Sequence, residues 1–388
     1  PSKQTAKDVE GIVTKASEEG FQVPIGCYET QVIPDAQNFA DCVESFRKLT
    51  DEVRKWLARG ENYEVVVDFT GGTKCMTAAL ALQAHQWHCK FSYVGGSERT
   101  KDGVGIVVSG KEQIVHAKNP WDALGYQAVE EAVVLFNQGA RAAASRRLEI
   151  SLRQISSEPV KRELSTLKSL TDAYDAWDRF QHKDALNRLK DVLKNANDLP
   201  ALFGQSASET LKKTLSQHAE YLNQLVPASD KPTRTAVLDL LANAKRREDE
   251  GRHDDAVARL YRAIEAIAQV ILAEKHGIED TGKVPQDTLS EALRNRWRHK
   301  ADNGIIKLGL QDDYTLLREL NDRHGEQFEK LKWHERKSPL TERNKSILAH
   351  GFKPVGETIF EQLWQGSLQL AKVTEQDLPE FPLLPCGS

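Results

Sequence analysis

The strongest constraint on the fold is a change of periodicity at Asn119-Pro120. Before it, apolar runs of strand length alternate with helical spacing, and after it helical spacing continues to about residue 370. Alternating strands and helices predict a parallel sheet, whereas an unbroken series of amphipathic helices predicts an all-α region. The expected fold class is therefore an α/β Rossmann-like N-terminal domain followed by an all-α C-terminal region.

The N-terminal part is centred on the apolar run Glu64–Phe69, EVVVDF, which is typical of a strand buried on both faces of a parallel sheet. The other elements expected here are an extended segment at Tyr28–Ile33, helices at Thr5–Ser17, Phe39–Leu57 and Thr73–Trp87, and strands at Phe91–Val94 and Gly105–Val108. Together they predict a doubly wound sheet with helices on both faces. The chain begins with Pro1 and enters a helical pattern directly, so a first strand is expected to be missing before it.

The helical part is interrupted most clearly at Val226–Pro232, VPASDKP, whose composition favours a linker. We therefore expect three domains, which cover residues 1–118, 119–232 and 233–388. Residues 250–260, EGRHDDAVARL, resemble a tetratricopeptide helix, but the similar helical pairs in the chain are unequally spaced. A solenoid needs a fixed period, so a regular repeat array is not expected.

Composition excludes several classes of protein. The 53 Lys and Arg residues against 57 Asp and Glu give a net charge of −4, which argues against a protein that grips long nucleic acid by bulk positive charge. No apolar stretch reaches the length of a membrane span and no signal peptide opens the chain, so no membrane partner is expected. Five scattered cysteines without a CxxC pair predict reduced thiols in the cytoplasm, and no spacing predicts a metal site.

A glycine-containing loop, DFTGGTK, follows the EVVVDF strand and precedes a helix. Gly71 and Gly72 allow the backbone to approach an anion closely, and the helix start supplies free N–H groups. Thr70 and Thr73 add hydroxyls, and Lys74 adds a charge. An ordinary strand-to-helix turn with Thr as the helix cap is the alternative interpretation.

A second glycine pair, Gly95-Gly96, is expected in the neighbouring loop at the same edge of the sheet. Ligands of α/β sheets bind at the carboxyl ends of the strands, so two adjacent glycine loops predict a pocket of nucleotide size.

An arginine and a histidine seven residues apart, Arg343 and His350, are the second chemical signal. Seven helical steps return to nearly the same direction, so both side chains are expected on one helix face, with Ile347 and Leu348 available for packing. An imidazole that moves protons beside a guanidinium that holds a phosphate suits RNA cleavage without a metal. The alternative is a surface helix end whose basic residues complement the helix dipole.

The DFTGGTKCM and RNKSILAHGF segments together resemble the CARF–HEPN ribonucleases of type III CRISPR systems. In that family a Rossmann-like CARF domain binds a cyclic oligoadenylate and a HEPN domain cleaves RNA. The resemblance implies a CARF domain at residues 1–118, a helical linker domain at 119–232 and a HEPN domain at 233–388. It also implies that Arg343 and His350 are catalytic, with Asn344 as the polar residue after the arginine. The activator would be bound by Asp68, Thr70, Gly71, Gly72, Thr73 and Lys74.

The resemblance further implies a homodimer in which two Arg/His pairs form one active site. Cleavage of single-stranded RNA would then leave a 2′,3′-cyclic phosphate and a 5′-OH, with no cofactor beyond the activator. The TGGTK loop looks like those of CARF domains that take cyclic tetra-adenylate, which we favour over hexa-adenylate. Additional cleavage of the activator itself stays open. The alternatives are a CARF-type sensor with a catalytically inactive helical module and a helical-repeat adaptor.

Overall fold

The structure is a computed structural model that describes residues 8–21, 28–57, 65–84, 87, 89–96, 98, 107–108, 110–117, 121–155, 157–228 and 231–385. The described residues fall into two compact units. The N-terminal unit contains residues up to 134 together with 143–168, and the C-terminal unit contains 135–142 and 169–385. The protein is mostly helical, with two small sheets.

The N-terminal unit begins with a helix that buries none of its residues and continues as an α/β layer. Its helices and strands before residue 118 are α1 (Asp8–Glu18), α2 (Phe39–Leu57), β1 (Val65–Asp68), α3 (Lys74–Ala84), β2 (Cys89–Gly96) and β3 (Glu112–Ala117). Strands β1 and β2 are parallel and joined through α3, whereas β3 is antiparallel to β2. One βαβ unit, which is the element that a Rossmann-like fold repeats, is therefore present.

The apolar side chains of α2 and α3 pack on each other and on one face of this sheet. Cys42 on α2 and Ala79 on α3 are fully buried together with Ile33. Val67 of β1 and Phe91 of β2 face the same helices, and the indole of Trp87 donates to the hydroxyl of Thr50 at 3.3 Å. The helical spacing of α2 therefore predicted its bounds because the apolar stripe is the face that is buried.

The expectation that EVVVDF is buried on both faces is wrong for the described residues. Val67 is buried, but its neighbour Val66 is 50% exposed, and Ile114 on β3 is 65% exposed. Among the described residues, helices cover only one face of the sheet, so a run of valines here reflects β propensity as well as burial. Between Tyr28 and Ile33 only Ile33 forms an isolated bridge, and the strand expected at Gly105–Val108 lies mostly outside the described residues.

Residues 121–378 form a long series of helices. They are α4 (Trp121–Asn137), α5 (Arg141–Leu152), α6 (Glu158–Asp178), α7 (His182–Lys194), α8 (Leu199–Phe203), α9 (Gln205–Leu225), α10 (Arg234–Asp249), α11 (His253–His276), α12 (Glu291–Trp297), α13 (Leu310–Glu319), α14 (Arg323–Lys330), α15 (Pro339–Asn344) and α16 (Glu357–Ala371). Short 3-10 turns lie at residues 196–198, 226–228, 286–288, 298–300 and 375–377. The predicted helical region is thus present. Helices α9 and α10 flank the segment Val226–Pro232, which the sequence predicts as a linker.

The core of the C-terminal unit surrounds α11, which buries eleven apolar side chains between α10, α13 and α16. The sequence predicts no strand after residue 120, but this region contains strands. A three-stranded sheet with order β4-β6-β5 is formed by β4 (Val284–Pro285), β5 (Ala301–Asp302) and β6 (Ile305–Ile306). Strands of two residues are too short to leave an alternating pattern in the sequence.

A buried cluster of three arginines surrounds one carboxylate in the C-terminal unit. Asp178 at the end of α6 accepts from the Nε of Arg246 at 2.9 Å and pairs with Arg247. Its Oδ2 also lies 3.8 Å from a guanidinium nitrogen of Arg141. Burial lowers the pKa of Arg141 and of Arg246 to about 10. We refer to Arg141, Asp178, Arg246 and Arg247 as the arginine cluster.

The segment after α16 covers this cluster. The ring of Phe381 lies 3.9 Å from the guanidinium carbon of Arg246 and 4.7 Å from that of Arg141. Three residues further on, the backbone N–H of Leu384 donates to the side chain of Asn137 at 2.8 Å, and the side-chain amide of Asn137 donates back to its carbonyl at 2.9 Å. Residues 375–385, the C-terminal strap, therefore hold α4 and α10 through one aromatic ring and one reciprocal pair of hydrogen bonds.

Candidate functional site

The loop after β1 is shaped by Asp68. Its Oδ1 accepts from the backbone N–H of Thr70 at 2.9 Å, and its Oδ2 accepts from the hydroxyl of Ser92 on β2 at 2.5 Å. These hydrogen bonds, first from Ser92 and then from Thr70, lower the pKa of Asp68. Asp68 therefore orders the loop against the neighbouring strand, which is a role that the sequence did not assign to it.

The side chains of both threonines of the loop form hydrogen bonds within the protein. The Oγ1 of Thr70 accepts from the backbone N–H of Val94 at 2.7 Å. The hydroxyl of Thr73 donates to the carbonyl of Ala36 and accepts from the N–H of Met76 at 3.2 Å, as a helix N-cap does. The alternative interpretation of Thr73 as a helix cap is therefore correct for its side chain, and its hydroxyl is not free to donate to a ligand.

The backbone between the two threonines is exposed. Gly71 and Gly72 are both exposed, and Gly72 has a φ of +116°, a conformation that only glycine adopts without strain. Lys74 is the first residue of α3, and with Phe69, Thr77 and Phe91 it lines a cavity of about 460 Å³. The loop thus combines accessible backbone amides, a helix start and one lysine beside a cavity, which can accommodate an anion.

The second glycine pair does not form a loop. Gly95 and Gly96 are the last residues of β2 and pair with Gln113 and Glu112 of β3. A Cβ at Gly96 would lie 2.0 Å from a methyl carbon of Val107, so the glycine is required by a close contact. Because glycine normally weakens a strand, the sequence predicts a loop at this pair.

The expectation that Arg343 and His350 lie on one continuous helix is wrong. Helix α15 ends at Asn344, and residues 345–351 form turns. The N–H of His350 donates to the carbonyl of Asn344 at 3.2 Å, and Ser346 is buried and bridges to Lys353. A folded loop, rather than helical phase, therefore brings His350 back to the end of α15. We call residues 343–353 the motif loop.

Gly351 makes this loop possible. A Cβ at Gly351 would lie 2.0 Å from the carbonyl oxygen of Lys345. The close backbone contact allows the chain to turn back, and the N–H of Lys353 donates to the same carbonyl at 3.2 Å. Gly351 is therefore the point at which the two ends of the loop pack on each other.

Arg343 is held by an aromatic ring that sequence spacing did not indicate. Its guanidinium carbon lies 4.0 Å from the ring centroid of Tyr261 on α11, and its Nη1 donates to the Oδ1 of Asn344 at 3.2 Å. Within the described part of the chain, Arg343 forms no ion pair with a carboxylate. Its positive charge is therefore available to a phosphate.

The surface around His350 is open and partly apolar. His350 and Asn344 are exposed, and so are Ile347 at 60%, Leu348 at 49% and Phe352 at 93%. Ile347 and Leu348 were expected to pack inside the domain, and they do not. Three exposed apolar side chains on one loop are unusual for a surface that contacts only water.

The segment RNRWRHK at residues 294–300 combines basic residues with one tryptophan, a pattern that suits either a stacking platform for single-stranded RNA or a solvated helix face with the tryptophan turned inward. Trp297 is buried and packs into the core, while Arg296, Arg298, His299 and Lys300 are exposed. The structure favours a solvated helix face with the aromatic turned inward over a stacking platform for single-stranded RNA.

Two domain families match the helical part of the chain. The Csm6 6H domain matches residues 124–217 and the Csm6 HEPN domain matches residues 226–373, which include the whole motif loop. In structure, the chain is similar to Enterococcus italicus Csm6 bound to cyclic hexa-2′-fluoro-hexa-dAMP, with a TM-score of 0.56, 13% sequence identity and coverage of 94% of this chain and 82% of that chain. No curated protein matches the chain in sequence.

The order of these two domains, 6H followed by HEPN, places the helical part of the chain in the HEPN class of CRISPR-associated proteins. The chain belongs to the Csm6 family, the CARF–HEPN ribonucleases of type III CRISPR systems. Within the described ranges, no three His, Cys, Asp or Glu side chains are grouped so that they could hold a metal ion. No helix in that part of the chain is both long and apolar enough to cross a bilayer.

Proposed function

We propose that the chain is a single-stranded endoribonuclease that a cyclic oligoadenylate activates. The observation that carries this proposal is the match of the Csm6 HEPN domain over residues 226–373, within which the backbone of His350 turns back to Asn344, the neighbour of Arg343. A guanidinium that has no carboxylate partner among the described residues and an exposed imidazole are the two groups that phosphodiester cleavage needs. We assign binding of the scissile phosphate to Arg343 and proton transfer to His350, with Asn344 orienting the arginine.

The reaction proposed is an internal transfer. The 2′-oxygen attacks the phosphorus, its proton goes to a histidine, and the bond from phosphorus to the 5′-oxygen breaks as that oxygen takes a proton. The products are a 2′,3′-cyclic phosphate and a 5′-OH, and the proposal requires no cofactor in this step. A second copy of the chain would supply the second histidine, and the exposed Ile347, Leu348 and Phe352 support a homodimer at the motif loop.

The activator is proposed to bind at the loop after β1. The exposed backbone of Gly71 and Gly72 and the charge of Lys74 support contacts with ring phosphates, while Asp68 and Thr73 would hold the loop in place. Thr70, Gly95 and Gly96 would act through the position of β2 beside it. The structurally similar Enterococcus italicus protein holds a ring of six nucleotides, whereas the TGGTK loop favours tetra-adenylate, so both rings belong in the test. The three-domain division and a cytoplasmic location complete the proposal.

The test is cleavage of a fluorescent single-stranded RNA with cyclic tri-, tetra- or hexa-adenylate in EDTA. Wild type is expected to cleave with one ring, and Arg343→Ala and His350→Ala are expected to lose at least about 100-fold in rate. His334→Ala and Arg336→Ala, which remove exposed groups of the same types in the same domain, should cleave like wild type. Cleavage by Arg343→Ala at the wild-type rate, or no cleavage with any ring, would refute the proposal.

The activator site has a separate test. Lys74→Ala is expected to raise the activator concentration for half-maximal cleavage about tenfold, because a charge-assisted phosphate contact is lost. Lys48→Ala on α2, whose side chain is 63% exposed, is the matched control. An unchanged activation curve for Lys74→Ala would remove Lys74 from the site. Binding of a ring without cleavage by wild type would favour a sensor with an inactive helical module, and no binding would favour an adaptor.

A further inference from the structure

The side chain of Tyr261 faces the proposed catalytic arginine from a rigid support. Tyr261 lies on α11, the central helix of the C-terminal core, and its half-buried ring packs against that core. The guanidinium carbon of Arg343 lies over this ring at 4.0 Å, well within the range of a cation–π contact. Arg343 itself is in the last turn of a helix of six residues, which by itself is a weak support.

Acidic side chains act electrostatically on the ring of Tyr261. Burial and then the charge of Glu265 raise the pKa of Tyr261, whereas Arg343 lowers it, and the charge of Asp313 raises it further. Glu265 also pairs with Arg262 at 3.2 Å. The carboxylate of Glu265 therefore acts on the ring that holds Arg343, and an ion pair from Arg343 to it would neutralise the charge that a phosphate needs.

An aromatic ring attracts a guanidinium without neutralising it. The ring fixes the position of the cation through its quadrupole, and the N–H groups at the edge of the guanidinium keep their donors and their full positive charge. Asn344 adds one neutral acceptor, at 3.2 Å from Nη1. Both contacts of Arg343 within the described residues are thus made by uncharged groups.

We propose that Tyr261 is a positioning residue, which holds Arg343 in place and keeps it out of an ion pair before RNA binds. This inference rests on the proposed ribonuclease function. The ring carries the role and the hydroxyl does not, so Tyr261→Phe keeps the function and Tyr261→Leu loses it. The catalytic rate of Tyr261→Leu is expected to fall about 3- to 30-fold, which corresponds to the strength of a partly buried cation–π contact.

The test measures RNA cleavage at saturating activator for wild type, Tyr261→Phe, Tyr261→Leu, Arg343→Ala and the double variant Tyr261→Leu/Arg343→Ala. Tyr261→Phe should cleave within about twofold of wild type, and the double variant should be no slower than Arg343→Ala alone, because Tyr261 acts through Arg343. Thermal unfolding of each variant checks the fold. Three results would overturn the inference: wild-type cleavage by Tyr261→Leu, an equal loss in Tyr261→Phe, or a further loss in the double variant.

A second readout does not depend on activity. The guanidinium signals of Arg343, labelled with ¹³C and ¹⁵N and assigned by their loss in Arg343→Ala, should carry a ring-current shift in wild type and Tyr261→Phe and lack it in Tyr261→Leu. Equal shifts in wild type and Tyr261→Leu would overturn the inference even in a protein that cleaves no RNA. An inactive wild type with the shift present would refute the ribonuclease function and leave the contact established.

Discussion

The arginine cluster gives the most direct prediction for stability, through the substitution Asp178→Asn. The carboxylate of Asp178 accepts from Arg246 at 2.9 Å and from the side-chain amide of Asn243 at 3.0 Å. It also pairs with Arg247 and lies near Arg141; both of these arginines are buried, and the side chain of Arg246 is only 12% exposed. An amide of the same shape removes the negative charge and leaves these guanidinium groups with much less compensation.

The expected cost follows from the burial of the pairs. Removing one partner of a buried ion pair destabilises a protein by about 3–5 kcal/mol, because the remaining charge stays buried without compensation. Glu250, which pairs with Arg247 at 2.7 Å and whose charge also acts on Arg141 and Arg246, offsets part of this loss. We therefore expect a loss of about 4 kcal/mol, which lowers the urea midpoint by about 1–2 M for m-values of about 2–3 kcal/mol/M.

Urea unfolding followed by circular dichroism measures this difference. The control is Asp191→Asn on α7, where Asp191 pairs with Lys194 at 3.2 Å and both side chains are exposed. A pair of this kind contributes about 0.5 kcal/mol. If Asp178→Asn loses no more than about 1 kcal/mol beyond the control, the reasoning on uncompensated buried charge is refuted.

Two further predictions concern Asp313 and Gly351. Burial raises the pKa of Asp313 to about 8, so the folded state keeps a proton that the unfolded chain releases near pH 4. The free energy of unfolding therefore falls as the pH rises from about 4 to 8, by up to about 1.4 kcal/mol per pH unit. Urea unfolding of wild type and Asp313→Asn at pH 5 and pH 8 measures this pH dependence, which the substitution should remove. An equal loss of stability between the two pH values in both proteins would contradict the assignment. Gly351→Ala should reduce activated RNA cleavage at least about tenfold, because its Cβ would collide with the carbonyl of Lys345, whereas Gly356→Ala, with open space around it, should cleave like wild type.

Elements whose signals are local could be predicted from the sequence. The apolar stripe of α2 predicted Phe39–Leu57 because that stripe is the buried face, and the apolar run at residues 64–69 predicted β1. The run did not predict the exposure of Val66, since valine favours strands with or without burial on both sides. Strand β3 was missed, because Glu112–Ala117 mixes polar and apolar residues on a largely exposed edge.

The residues of the candidate site could also be predicted only in part from the sequence. Arg343 and His350 could be chosen by residue type, but the seven-residue helical phase that supported them does not exist. A buried Ser346 and the contact of Gly351 with Lys345 form the loop instead, and both depend on contacts that a periodicity does not contain. Tyr261 lies on another helix far along the chain, so no spacing rule could connect it with Arg343.

The C-terminal strap has a consequence for how the protein is made. A chain emerges from the ribosome with its N-terminus first. Arg141 and Arg246 are therefore synthesised long before Phe381, which covers both. Until the strap emerges, the guanidinium groups of the cluster can remain hydrated, and Asn137 lacks its partner at Leu384. Completion of this part of the core is thereby tied to the synthesis of residues 375–385. A nascent chain that stalls before Phe381 would leave the guanidinium groups of the cluster, and the rings of Tyr174 and Trp177 that also pack on Phe381, without this cover.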